Sequence, residues 1–324
     1  GRLEEEANPL LLPIGLLERL DRSVKDLRDK TLFDFMLKDV DGLEIATESW
    51  KMVIHRAEKD KWAMIVPINA VAQSDRVNSL LKKLVRLSVK EFVAEKTDDL
   101  SPYGLDTPSY TIYVKTGSVT DKQMLMLGKR DDSKNGVFAK MTNRDTVVML
   151  ETMVLNELPQ EVFALRDKDM VTIDRQKVEK IRLTYPQDQI LLVKKEDEKW
   201  FIQEPVNYRA HQRRVNDIVA DIDEMEILQF MDSRQPAAEE SGLDAPAIRV
   251  EFWIKDKDQP VGIELGKKIM DGKGVFARQI GKTRVDVVDD KYLSRLKKTA
   301  FDLQYKKFVD FASKDVRTIY LTLE

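Results

Sequence analysis

The chain has 324 residues, enough for about two ordinary domains that each bury a core, and 42% of the residues are hydrophobic. Its 54 basic and 57 acidic side chains leave a formal net charge of −3 with no long run of one sign, which excludes nucleic-acid binding through a basic face. The absence of cysteine excludes disulfides, thiolate nucleophiles and Cys-ligated metal sites.

The chain repeats itself at an offset of 138 residues, and the register never slips. Trp62 returns as Trp200, and the tripeptide RVN at 76–78 returns at 214–216. Self-similarity at a fixed period indicates a tandem array of one structural module.

The same matches predict the ends of the modules. Residues 31–168 and 169–306 form two full repeats. Residues 1–30 align with the helical close of a preceding repeat, and residues 307–324 align with the opening strands of a third. We therefore expect the natural protein to extend in both directions.

Each module opens with short strands, which the second copy shows at 178–184, 189–195 and 199–203. Pro67 in the first copy and Pro205 in the second follow the third strand. Because proline cannot donate to a strand ladder, we expect both prolines to end that strand.

An amphipathic helix follows in both copies, with apolar residues at helical spacing. These residues are Val77, Leu80, Leu81, Leu84 and Leu87 in the first copy and Val215, Ile218, Val219, Ile222 and Met225 in the second. We expect Ser74 and Asp75 to cap the free N–H groups at the start of the first helix.

Alternating apolar residues then predict four more strands. In the first copy they are Tyr110, Ile112 and Val114, then Leu125 and Leu127, then Val137 and Ala139, then Val147 and Met149. We predict an α+β fold of two tandem homologous modules, each a mainly antiparallel sheet with about two covering helices, and not the strand–helix alternation of a Rossmann sheet.

The motif GLD-x-P precedes the second group of strands in both modules. Its residues are Gly104, Leu105, Asp106 and Pro108 in the first copy and Gly242, Leu243, Asp244 and Pro246 in the second. Glycine suits a positive φ, aspartate bonds nearby backbone, and proline keeps the preceding residue extended. The leucine would fill the core, so the motif predicts a turn and not a binding site.

Two further residue types recur in both copies. Trp62 and Trp200 begin a strand, where core packing is the default for so large a side chain and a sugar-stacking platform is the alternative. Arg76 and Arg214 lie near the helix start. We expect them to bond carbonyls of the preceding strand, with ligand binding as the alternative.

The sequence displays no reaction. His55 and His211 do not occupy matching positions, and no zinc-protease or calcium-loop spacing occurs, so we expect no metal and no cofactor. The stretch GKKIMDGKG at 266–274 lacks the spacing of a phosphate loop and predicts a hairpin. Asp106 and Asp244 are the only acids kept in a strong motif, and one acid per module is not a mechanism. We predict no catalytic residue.

Charges on the two amphipathic helices differ between the copies. The first helix carries Lys82, Lys83 and Arg86, and the equivalent positions of the second are Ala220, Asp221 and Glu224. Opposite charges on equivalent faces favour contacts between modules or with a partner, and a solvated face is the plain alternative.

Trp253 breaks the pattern of its strand. It is out of phase with the alternating Val250, Phe252 and Ile254, so we expect its side chain to point away from the core. An outward tryptophan is a suitable interface anchor, and cover by a neighbouring loop is the alternative.

The order of these motifs resembles the bacterial family called domain of unknown function 4340 (DUF4340). The shared order is KW with a proline five residues later, the amphipathic helix, GLD-x-P, LG, VFA and LRDK, and it covers essentially the whole chain twice. Ser241, where the first copy has Tyr103, is a small departure. The resemblance implies periplasmic repeats behind an N-terminal membrane helix, often encoded beside an ABC-type permease and a gliding-motility-type component. It implies no catalytic residues.

We therefore expect a non-enzymatic, modular interaction or scaffold protein, an accessory of an ABC-type transport or envelope system. It would be tethered to the inner membrane by a helix outside this sequence, and its partners would be protein components of that system. An alternative is a glycan- or polymer-binding array that uses Trp62, Trp200 or Trp253. A third hypothesis, an envelope hydrolase, needs a pocket with converging acids.

Overall fold

A computed structural model describes residues 27–58, 60–117, 123–195, 198–269, 272–307, 313–320 and 322. The chain divides into two compact units, Gly1–Asp167 and Lys168–Glu324. Of the helical tail expected at 1–30, only 27–30 belong to the described residues, and they form a bend and coil; the rest lies outside the described residues.

The described part of the first unit contains one nine-stranded antiparallel sheet. Its strands are β1 (Val40–Ala46), β2 (Lys51–Glu58), β3 (Lys61–Val66), β4 (Ala70–Ala72), β5 (Glu91–Ala94), β6 (Tyr110–Thr116), β7 (Gln123–Asp131), β8 (Gly136–Met141) and β9 (Val147–Glu151). They lie in the order β4-β3-β2-β1-β6-β7-β8-β9-β5. β1 therefore pairs with both β2 and β6 at the centre of the sheet.

The described part of the second unit repeats this sheet strand for strand. Its strands are β10 (Val178–Tyr185), β11 (Asp188–Lys194), β12 (Trp200–Glu204), β13 (Tyr208–Arg209), β14 (Ile227–Gln229), β15 (Ile248–Ile254), β16 (Val261–Lys268), β17 (Gly274–Gln279) and β18 (Val285–Asp289). Their order is β13-β12-β11-β10-β15-β16-β17-β18-β14. The predicted α+β fold of two mainly antiparallel modules is confirmed.

One long helix packs on a face of each sheet, and shorter helices follow it in the chain. The α-helices are α1 (Ser74–Val85) and α2 (Met153–Glu157) in the first unit, and α3 (Gln212–Asp223), α4 (Ala238–Ser241), α5 (Lys291–Leu296) and α6 (Ala300–Leu303) in the second. The predicted apolar stripe of α1 is buried at Val77, Leu80, Leu81 and Leu84. α3 buries the four equivalent residues, so the helical spacing predicted the core face correctly.

The expected cap of the first helix is wrong. The N-cap residue of α1 is Gln73, and no side chain caps it. Ser74 Oγ instead accepts a hydrogen bond of 3.3 Å from the backbone N–H of Trp62 in β3. The hydroxyl therefore joins the helix to the neighbouring strand.

Four very short strands at the sheet edges, β4, β5, β13 and β14, were not predicted. Short edge strands limit the unpaired backbone that a sheet offers to other chains, and two to four residues are too few to show alternation. They give each described module four strands before its long helix and five after it.

The expected opening strands at 307–324 are not formed in the described part of that segment. A 3-10 turn at Ser313–Asp315 repeats the turns at Leu37–Asp39 and Arg175–Lys177, but residues 316–320 form no strand. β1 and β10 each pair with strands that follow them in the chain.

Candidate functional site

The GLD-x-P motif is a packed turn in both units. Gly104 and Gly242 have φ of 64° and 68°, as predicted, and the following Leu105 and Leu243 are buried. A Cβ on Gly128 would lie 2.1 Å from the carbonyl oxygen of Tyr103 beside Gly104, so only glycine permits this approach. The GLD and LG motifs therefore pack directly against each other.

The aspartates of this motif stay at the surface. Asp106 and Asp244 are exposed, and each lies in its own unit. Asp244 Oδ1 accepts a hydrogen bond of 3.0 Å from the backbone N–H of Ala245, the local bond that the turn predicted. Pro108 and Pro246 follow this turn and precede β6 and β15.

The two repeated tryptophans are core residues. Trp62 is 1% exposed and Trp200 is 3% exposed, so neither ring can stack on a sugar and the sugar-platform interpretation of this pair is wrong. Trp62 Nε1 donates to Asn78 Oδ1 of α1 at 3.1 Å, which ties β3 to the helix. The indole needs this partner because a buried N–H is costly to leave unpaired.

The repeated arginines bind carbonyls, but not those of the preceding strand. Arg76 donates to the carbonyl oxygen of Ala164 at 3.4 Å, and Arg214 donates to that of Asp302. These acceptors lie at the close of each module, 88 residues further along the chain. The arginines therefore bond backbone carbonyls, as expected, but the acceptors lie at the end of the module. These hydrogen bonds connect the end of each module to its long helix.

Pro67 and Pro205 end β3 and β12, as predicted. The peptide bonds Val66–Pro67 and Glu204–Pro205 are both cis. In both units the proline begins the turn to the short edge strand, β4 or β13.

The opposite helix charges are paired inside each unit. Lys83 Nζ of α1 lies 3.9 Å from Glu157 of α2, and Asp221 of α3 lies 2.8 Å from Arg295 of α5. Lys83 and Asp221 are equivalent positions, and so are Glu157 and Arg295. Both units thus have a salt bridge at this place, with the positive and negative partners exchanged. The opposite charges of Lys83 and Asp221 are explained by their partners within each unit.

The other helix charges are mostly exposed. Lys82 of α1 and Arg86, which follows that helix as its C-cap residue, are exposed, and Ala220 is half-buried on α3. Glu224 pairs with Arg175 at 2.9 Å, and Asp223 pairs with the same guanidinium at 2.5 Å. These two carboxylates raise the pKa of Arg175 through hydrogen bonds, Glu224 first.

Trp253 lies on the face of the second sheet that is turned away from α3. Its strand β15 buries the alternating Val250 and Phe252, and Trp253 lies on the opposite side, as predicted, with its side chain partly buried. Two cations of the adjacent strand β10 lie over the indole ring: Lys180 Nζ at 4.4 Å and Arg182 Cζ at 5.0 Å from its centroid. These distances are those of cation–π contacts.

A row of alternating charges continues from Trp253 across four strands, and we call it the charge ladder. Its members are Arg182, Glu251, Arg249, Glu264 and Arg278. Glu251 lies 3.7 Å from Arg182 and 3.0 Å from Arg249. Glu264 lies 2.6 Å from Arg249 and 2.6 Å from Arg278. Each glutamate is therefore held between two guanidinium groups.

The charge ladder is partly removed from water. Glu251 and Glu264 are 7% and 6% exposed, and Arg278 also donates to the carbonyl oxygen of Leu243 at 2.9 Å. Hydrogen bonding to Glu251, the largest cause, raises the pKa of Arg249. Both carboxylates accept charge-assisted hydrogen bonds from the neighbouring arginines.

The first unit lacks the charge ladder. Its residues at the five equivalent positions are Glu44, Tyr113, Thr111, Met126 and Lys140, and Lys115 stands in place of Trp253. The sequence held a signal for the ladder, because Arg249 and Glu251 alternate with the apolar residues of IRVEFWI and share the phase of Trp253. Of this stretch, only Trp253 was predicted to belong to a contact surface.

Three other features bear on chemistry. No group of three His, Cys, Asp or Glu side chains within the described ranges has the geometry to hold a metal ion. GKKIMDGKG links β16 to β17, so its assignment to a hairpin is confirmed. Among the helices whose residues the structure describes, none has the length and apolar character needed to span a membrane.

Comparison with known proteins agrees with the repeat. The domain of unknown function DUF4340 matches the chain twice in tandem, over residues 62–200 and 200–324. The chain therefore belongs to the DUF4340 family. No curated protein and no solved structure matches it.

Proposed function

We propose that this chain is a protein-binding module whose contact surface is Trp253 with the charge ladder. The carrying observation is that an outward tryptophan and three arginines are gathered on one sheet face of the second unit only. Tryptophan and arginine are the side chains that most often dominate binding energy at protein interfaces.

The charges of this surface indicate what it binds. Lys180, Arg182, Arg249 and Arg278 are four cations, and Glu251 and Glu264 are two anions, so the surface carries two excess positive charges. Complementary charge guides association and excludes wrong partners. The partner would present acidic residues around an apolar position that receives the Trp253 ring.

The wider setting is part of the same proposal. The family resemblance supports a non-enzymatic scaffold on the periplasmic side of the inner membrane, acting as an accessory of an ABC-type transport or envelope system. The partner would then be a protein component of that system. Of the three tryptophans of the glycan hypothesis, only Trp253 is accessible.

Photo-crosslinking in cells that produce the full-length protein tests the proposal. A photoreactive residue at Trp253 should capture one defined envelope protein, and the same residue at Lys115, the equivalent exposed position of the first unit, should not. Trp253→Ala should then weaken binding of the purified partner by roughly 30-fold, about 2 kcal/mol for an aromatic anchor.

Two outcomes would contradict the proposal. One is equal capture of the same proteins from positions 253 and 115, which would mean adventitious contact. The other is capture of no protein together with binding of cell-wall polysaccharide that Trp253→Ala abolishes, which would favour the glycan hypothesis instead.

A further inference from the structure

The second unit contains a cavity of about 550 Å³ at one end of its sheet. Tyr185 and Asp188 line it from the hairpin between β10 and β11, Ile248 from the start of β15, and Leu293 from α5. Lys297 and Lys298, which follow α5, complete the lining. Small-molecule pockets have volumes of roughly 300–1,000 Å³, so this cavity is large enough for a ligand.

The first unit fills the equivalent place with its own aromatic rings. Asp188 and Ile248 correspond to Trp50 and Tyr110. The Trp50 and Tyr110 rings meet edge to face, with centroids 6.3 Å apart and an interplanar angle of 79°, and both pack against the core. The cavity of the second unit is therefore a place from which two aromatic side chains are missing.

In both units a tyrosine hydroxyl bonds a backbone carbonyl near the close of the module, although neither the tyrosines nor the acceptors are at equivalent positions. In the first unit Tyr110 donates its hydroxyl hydrogen to the carbonyl oxygen of Pro159 at 3.2 Å. In the second unit Tyr185, on a different strand, donates to the carbonyl oxygen of Leu296 at 2.8 Å. Its phenol oxygen also accepts from the backbone N–H of Lys298 at 3.0 Å. Tyr185 thus holds the wall of the cavity while leaving its centre open.

The mouth of the cavity has gained positive charge. Lys297 and Lys298 stand where the first unit has Pro159 and Gln160. With Asp188 as the anion among the lining residues, the lining carries one excess positive charge. An occupant with an anionic substituent would meet a favourable field in a partly enclosed site.

We propose that this cavity binds a small aromatic acid, whose ring takes the place that Trp50 and Tyr110 occupy in the first unit. The ring would pack between Ile248 and Leu293, and its anionic group would lie towards Lys297 and Lys298. This site shares no residue with the charge ladder, so it goes beyond the proposed protein contact.

Indole-3-acetate is a suitable probe, because it combines an indole ring with a carboxylate. Titration of the whole chain by ligand-observed NMR and calorimetry should give one site per chain with a Kd of about 0.1–1 mM, the range that a ligand of this size reaches. Tryptamine, which carries the same ring with a cationic group, should bind at least tenfold more weakly.

Asp188→Trp restores the side chain of the first unit and should fill the cavity, reducing indole-3-acetate affinity at least tenfold. Asp258→Trp, at an exposed turn of the same unit, is the matched control and should leave affinity unchanged. Lys297→Glu with Lys298→Glu keeps the cavity open and should remove the preference for the acid, which gives a second measurement if Asp188→Trp does not fold.

Three results would overturn the proposal. They are no binding of indole-3-acetate at millimolar concentration, equal binding by Asp188→Trp and the parent chain, and tryptamine binding as tightly as the acid. A loss of crosslinking from Trp253 would leave this proposal standing, because the two sites are tested by different measurements.

Discussion

At the scale of single residues, two glycines allow the signature motifs of each unit to pack together. A Cβ on Gly128 would lie 2.1 Å from the carbonyl oxygen of Tyr103, and one on Gly266 would lie 2.0 Å from that of Ser241. Both neighbours are backbone atoms, which cannot rotate away. The repeated LG dipeptide is thus required by close approach, just as the repeated glycine of GLD is required by its positive φ.

We expect Gly128→Ala to lower the free energy of unfolding of the first unit by about 1–3 kcal/mol, the usual cost of forcing an extra methyl into a packed site. Gly117→Ala is the control, because a Cβ there would have nothing within 4 Å. Urea denaturation of both variants measures the difference. Equal stability of the two variants would show that the contact between the motifs is not tight.

Tyr185 makes the stability of the second unit depend on pH in alkaline solution. Burial raises its pKa from about 10 to about 12, because removal from water disfavours the charged phenolate more than the hydrogen bond from the Lys298 N–H favours it. A pKa raised by folding favours the protonated form, so its stabilisation is complete below pH about 10 and is lost as the pH rises towards 12.

Unfolding midpoints of the parent chain should therefore fall more steeply between pH about 10 and 12 than those of Tyr185→Phe, which lacks the titrating group. The other tyrosines and the lysines titrate in the same range, but they contribute equally to both pH profiles and do not affect the difference. Parallel pH profiles for the two proteins would contradict a buried, hydrogen-bonded Tyr185.

At the scale of elements, the spacing of apolar residues correctly predicted which face of a helix or strand is buried. It did not predict which distant residues bond the polar side chains. The 3.6-residue spacing found the buried side of α1, and the alternation of β15 placed Trp253 on the outer face. Both signals are local. The acceptor of Arg76 and the counter-ion of Lys83 lie 88 and 74 residues away, and no local pattern carries that information.

The reversed salt bridge gives a test at this scale. Lys83→Asp would place a carboxylate opposite Glu157 and should destabilise the first unit by about 0.5–1 kcal/mol, the range for exposed pairs. Adding Glu157→Arg recreates the pair of the second unit and should recover most of the loss.

Lys82→Asp is the matched control for this double-mutant cycle, because Lys82 shares the last turn of α1 and is also exposed. It makes the same change in net charge and helix propensity. If Lys83→Asp and Lys82→Asp cost the same and Glu157→Arg restores nothing, the pair does not contribute to stability.

At the scale of the whole molecule, the family matches and the compact units divide the same repeat at different residues. The family matches begin at the tryptophans, at residues 62 and 200, and the compact units divide between Asp167 and Lys168. The offset of 138 is the same for any starting point. The structure adds that β1 and β2 belong to the same sheet as the strands that follow them.

A fragment of residues 27–167 should therefore fold with a cooperative thermal transition, and a fragment of residues 62–167 should not. The shorter fragment keeps the GLD-x-P, LG and VFA motifs of the first unit but lacks β1 and β2. It loses the buried Leu43, Ile45, Met52 and Ile54, and β3 and β6 each lose one of their two partner strands. Circular dichroism and calorimetry measure the transitions; cooperative unfolding of 62–167 would show that the family match marks the folding unit.

The cavity of the second unit shows the limit of sequence reasoning at this scale. Aligning the repeats puts Asp188 opposite Trp50 and Ile248 opposite Tyr110 without any structure. That these substitutions empty one place, and that Tyr185 reaches it from another strand, depends on how the hairpin and α5 meet in space. The repeat alignment identifies the substituted residues, and only the tertiary structure shows that the substitutions leave a cavity.

The reversed polarity of one salt bridge also affects how two near-identical modules sort themselves while the chain folds. Tandem copies of one topology risk exchanging equivalent elements, and α1 and α3 bury residues at equivalent positions. If α1 docked onto the second unit, Lys83 would face Arg295, and if α3 docked onto the first, Asp221 would face Glu157. Each exchange would replace an attraction with a repulsion, so the reversed pair disfavours the docking of α1 or α3 in the wrong module.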